Sequence, residues 1–132
     1  MSIVIKKYLS QNYEIENISE DMLAIFGGSI GKAEYLKDKT ELFSNIIEII
    51  HSIKKIDLPD VLKKADIIYK SQDDKNDILE AMNVILYKMS KQDIRFLNCI
   101  DIVEDTKKRL NANANYNMSI DNMLFKIWEE MH

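Results

Sequence analysis

The stretch GGSIGKAEYL, residues 27–36, holds every glycine of the chain and follows one of them, Gly31, with Lys32. Glycine-rich backbone ending in Gly-Lys can wrap a phosphate. A P-loop, however, needs Gly, four residues and then Gly-Lys-Ser/Thr, entered from a buried strand. Counting back from Gly31, the first glycine would stand at Phe26, and the Mg²⁺-binding hydroxyl would stand at Ala33. The preceding SEDMLAIF spaces its apolar residues as a helix does. A dinucleotide fingerprint fails as well, because only Gly28-x-x-Gly31 is present. The glycines read better as punctuation. Gly27-Gly28 closes one helix, and Ser29 caps the next.

Other chemistry is sparse. His51 and His132 are the histidines, and neither has a second histidine or cysteine at zinc-ligand spacing. Glu48-Ile-Ile-His51 has the spacing of a carboxylate-bridged metal site in a bundle, but it occurs once, so a solvated helix face is expected and no metal. Cys99 lies in FLNCIDIV among apolar neighbours and reads as a buried, inert thiol. No GxSxG elbow exists. The basic clusters Lys6-Lys7, Lys54-Lys55, Lys63-Lys64 and Lys107-Lys108-Arg109 each have acids close by and no interleaved aromatics, so they read as solvated faces, not a nucleic-acid footprint. Met82, Met89, Met118, Met123 and Met131 suit packing or an interface. No catalytic residue, cofactor or small-molecule substrate is expected.

The elements carrying these residues are helical. The 132 residues are 46% apolar and 30% charged with net charge −4, which suits a soluble globular chain with no general attraction to nucleic acid or anionic membrane. One cysteine excludes an intrachain disulfide and fits a reducing compartment. No apolar run approaches a membrane span, and MSIVIKKYLS lacks the apolar core of a signal peptide, so a cytoplasmic location is expected. The chain enters patterned sequence at once, and Met1 is read as a start placed within a longer protein.

Apolar residues recur at three and four throughout, and with one proline and few glycines the expected fold is all-α. Three short helices are expected before Lys37-Asp38-Lys39, a charged joint that divides a small unit, 1–39, from a bundle, 40–132. The bundle should hold about five helices. Thr40 is expected to cap the first, which carries Leu42 to Ile53. Asp57 caps a second with Pro59 in its first turn and apolar residues to Tyr69. A third carries Ile78 to Met89, and a fourth Phe96 to Leu110. The break NANANYN, 111–117, precedes a last helix from about Ser119.

Two stretches resemble the bacterial AAA+ clamp-loader family, in particular its delta-prime type. GSIGKAEYL is similar to the start of the third lid helix, Gly-Ser-x-Arg-x-Ala, through Gly28, Ser29, Ala33 and Leu36. Gly31, with Lys32 beside it, stands where active subunits keep a phosphate-sensing arginine. The second stretch, RLNANANYNMSIDNMLFKI, fills the family's Asn-x-Asn opening of the last helix with Asn113, Asn115, Met118, Ile120, Asp121, Met123 and Leu124.

The resemblance implies a lid over 1–39 and a collar over 40–132, with the nucleotide-binding domain before residue 1. It implies a vestigial nucleotide contact at Ser29, Gly31 and Lys32. It also implies a part in loading the sliding clamp onto primed DNA for DNA polymerase III, a nucleotidyltransferase. The partners would be the delta and gamma/tau subunits, met through the collar, with DNA and clamp reached only through the whole complex. A subunit interface is expected around Phe96, Leu97, Ile100, Asn113, Asn115, Met123 and Trp128. A gamma/tau or delta collar is the alternative within the family, with Gly31 against gamma/tau. A stand-alone helical adaptor is the alternative outside it.

Overall fold

The computed structural model describes Ile25 and residues 39–132; the three short helices, the Gly27-Gly28 helix end and the Ser29 cap expected from sequence lie outside the described residues. Among the described residues every regular element is helical: α1 Thr40–Ser52, α2 Leu58–Lys64, α3 Asp66–Tyr69, a 3₁₀ turn Gln72–Asp74, α4 Lys75–Met89, α5 Arg95–Asn111 and α6 Tyr116–Met131.

Leu42, Phe43, Ile46, Ile49 and Ile50 recur at three and four along α1 and are buried. Thr40 does not cap this helix. It is the first helical residue, and Lys39 holds the cap position without a side-chain bond. Asp57 does cap α2, accepting from the Asp60 amide at 3.1 Å, with Pro59 in the first turn where its missing N–H leaves nothing unpaired.

The single helix expected from Asp57 to Tyr69 is instead broken at Ala65, whose ψ of 7° leaves the α region. The Ile68 amide bonds Ala65 O at 2.9 Å rather than the carbonyl of Lys64. Asn45 Nδ2 from α1 takes that freed Lys64 carbonyl at 2.8 Å. A tertiary hydrogen bond thus compensates the local break, which no spacing rule reveals.

Side-chain contacts show the helix directions. Lys39 meets Asp74 just before α4 at 3.3 Å, and Lys54 meets Asp93 just after it at 3.0 Å, so α1 and α4 run the same way. Asn83 Nδ2 donates to Glu104 at 2.7 Å and Asn98 Nδ2 to Glu130 at 2.8 Å, which pairs α5 antiparallel to both α4 and α6. Residues of α1, α4, α5 and α6 and of the α2–α3 corner share one apolar core, and Ile25 is buried in it too. No described helix is long and apolar enough to cross a membrane.

A candidate assembly surface

The NANAN segment is a joint built from two asparagines. Asn113 has φ 63°. That left-handed conformation is tolerated best by Gly and Asn. It allows the Ala114 amide to reach Arg109 O at 3.0 Å and the Asn113 amide to reach Leu110 O at 3.1 Å. This is the paired bonding of a Schellman helix end. Asn115 then opens α6, its Oδ1 accepting from the Met118 amide at 3.0 Å. The last helix therefore starts at Tyr116, earlier than the Ser119 read from sequence, because the cap lies inside the polar segment.

The joint presses α6 onto the α2–α3 corner. Tyr116 Oη donates to Ile68 O at 2.6 Å, and Tyr69 Oη donates to the Asp121 carboxylate. Burial pushes the Tyr116 hydroxyl up to about 12, with Asp74 adding to it. Burial raises Tyr69 further, helped by the bond to Asp121. At the far end of α6, Trp128 Nε1 donates to Ile56 O at 2.9 Å and its ring stacks on His132 at 4.3 Å. Arg95 Nη1 reaches Met131 O at 3.3 Å.

The expected interface residues therefore separate. Phe96 and Met123, 1% and 0% exposed, are core. Asn113 and Asn115 shape the joint. Trp128 is half-buried with its N–H taken. Leu97, 39% exposed, and half-buried Ile100 lie together on an outward face, and Asn113 and Asn115 are exposed at the joint. Ser29, Gly31 and Lys32 lie outside the described residues. Sequence reasoning missed Ile94 and Tyr87, exposed by 68% and 59%, and Phe125 on α6. Tyr87 and Phe125 each break the polar side of their helix wheel, and Ile94 is a lone apolar residue in the polar link before α5.

Glu48 is paired with Lys64 at 2.8 Å. Cys99 is fully buried, and burial above all pushes its thiol up to about 12. No group of three His, Cys, Asp or Glu side chains among the described residues could hold a metal. An open cleft of 410 Å³ between α1 and the α2–α3 corner is lined by Glu41, Glu48, Lys64 and Asp66. A second, of 310 Å³ between α5 and α6, is lined by Asp101, Asp105, Thr106 and Lys126. Ser44, Asn45 and Ile67 complete the first lining, and Ile102 and Asn122 the second. Comparison with protein-family models, curated proteins and solved structures found no match.

Proposed function

We propose that this chain is the C-terminal, lid-plus-collar part of a delta-prime-type subunit of the bacterial DNA polymerase III clamp loader. In this reading it helps assemble the complex that places the sliding clamp on primed DNA. The observation that carries the reading is the Asn113–Asn115 joint. The residues that resemble the family's last-helix opening are the ones that end α5 and cap α6. That geometry gives Asn-x-Asn a physical reason, since one asparagine must accept positive φ and the other must bond an orphan amide. An amphipathic helical bundle that leaves Tyr87, Ile94 and Leu97 on its outside suits an assembly role.

The test is association. The chain mixed with the collar regions of delta and gamma/tau should sediment as a complex in analytical ultracentrifugation. No complex, or measurable ATP affinity of the chain alone, would sink the proposal. A stand-alone helical adaptor is the second reading. Ile25 favours it, because a residue from the proposed lid lies in the same core as the proposed collar.

A further inference from the structure

The Asn83–Glu104 bond sets the register of the α4–α5 hairpin. One turn from Asn83 toward the loop lies Tyr87, and one turn from Glu104 in the same direction lies Ile100, so these two stand level. Leu97 follows one turn on, and Ile94 ends the row at the loop, where its carbonyl accepts from the Leu97 amide at 3.0 Å. Two helices thus deliver four apolar side chains to one outer edge, although three of them are exposed. On α6 the other exposed apolar pair, Met118 and Phe125, is two turns apart with Asp121 and Asn122 between.

Charge separates across the row. Lys91 places its ammonium 5.6 Å from the centre of the Tyr87 ring, on the α4 side. Asp101 follows Ile100 on the α5 side and has no hydrogen-bond or ion-pair partner among the described residues. By the same register Asp101, one position from Ile100, comes about level with Tyr87, against which the Lys91 ammonium lies, so helix geometry puts the two charges on opposite sides of the apolar row. A two-fold axis along the hairpin lays α4 of one copy over α5 of another. It sets Lys91 against Asp101 of the second copy, twice, while the apolar rows meet. A face that is its own complement is what an isologous dimer requires.

We propose that the outer face of the α4–α5 hairpin binds a second copy of this chain, through Tyr87, Ile94, Leu97 and Ile100 with reciprocal Lys91–Asp101 pairs. The inference stands independently of the clamp-loader reading. The row is small, so the dimer is weak and reversible. Its ion pairs lie at the rim, so it loosens as salt rises.

Sedimentation equilibrium of the whole chain over a wide concentration range tests it. The expected result is a monomer–dimer equilibrium weakened at least tenfold by Leu97→Asp, with an unchanged helical spectrum, and left alone by Met118→Asp on α6. Lys91→Asp and Asp101→Lys should each weaken the dimer alone. Mixed in equal amounts, the two variants should associate again, because only the mixed pair restores both contacts. Monomer at every concentration, a dimer lost on Met118→Asp but kept on Leu97→Asp, or a charge-variant mixture that does not associate would each overturn the proposal.

Discussion

Trp128 reaches from the last turns of α6 to the carbonyl of Ile56, seventy-two positions earlier in the chain, and donates its indole N–H at 2.9 Å. That carbonyl lies in the link between α1 and α2, where no helix supplies a partner. The same end of α6 is held by Arg95 Nη1 on Met131 O, and by His132 Nε2 on Ile53 O at 2.8 Å. A carbonyl only accepts, so that imidazole nitrogen carries a proton. The C-terminal turn therefore joins the α1–α2 link to the start of α5.

Trp128→Phe keeps a large ring but removes the donor. Leaving the part-buried Ile56 carbonyl unpaired is expected to cost about 1 kcal/mol. Chemical denaturation should show a lower midpoint at unchanged slope. A variant as stable as the parent would show that water replaces the indole at no cost.

The two asparagines of the joint should respond differently to the same change. Asn115→Ala removes the α6 cap and is expected to destabilise by about 1 kcal/mol. Asn113→Ala forces a Cβ residue with no polar side chain into positive φ, at about 1–2 kcal/mol. Asn113→Gly should be tolerated, since glycine takes that conformation freely. Thermal melts of the three variants separate cap from turn. Equal loss for Asn113→Gly and Asn113→Ala would mean that the Asn113 side chain, and not its backbone angle, matters.

Helical class, the four main helix positions and the Asp57 cap were legible because each depends on residues within one or two turns. The stripes at Leu42–Ile50 and Ile78–Leu86 needed nothing from elsewhere. The break at Ala65 was not legible, since it depends on Asn45 offering its amide to Lys64 O from another helix. The start of α6 was misjudged because Asn115 is polar enough to look like loop while serving as its cap. The outer face was not legible from one helix: Leu97 and Ile100 point outward, but Phe96, their neighbour, points inward, and Tyr87 joins them only through the α4–α5 register. A single helix pattern does not contain that register.

Buried acids that must stay neutral should make the fold weaken in alkali. Cys99 and Tyr116 are both held up to about 12, and Tyr69 is raised as well. In the unfolded chain these groups ionise from about pH 8.5 for the thiol and about pH 10 for the phenols. Above pH 8.5 the unfolded state therefore binds fewer protons than the folded one, and stability falls as pH rises. Denaturant midpoints between pH 7 and 11 should drop, less steeply for Cys99→Ala. The native thiol should also resist disulfide reagents at pH 8 until denaturant is added.

On the acid side, Asp93 is the carboxylate among the described residues that the folded state holds down. Asp93, with 16% of its side chain exposed, accepts from Arg95 Nη2 at 2.7 Å and from Lys54 Nζ at 3.0 Å. Those bonds, Arg95's first, hold its carboxyl well below the usual carboxylate range. A depressed folded value means the stabilisation is fully present above the unfolded carboxylate value, near pH 4. It is lost as pH falls further and the folded carboxylate takes up its proton. Asp93 also ties α1 to the start of α5, since Lys54 follows the end of α1 and Arg95 opens α5. Asp93→Asn is therefore expected to lower stability at neutral pH and to flatten the acid limb below pH 4. Melting curves from pH 2.5 to 7 read both effects together. A variant that loses stability at pH 7 but keeps the parent's full acid slope would assign the acid limb to other carboxylates.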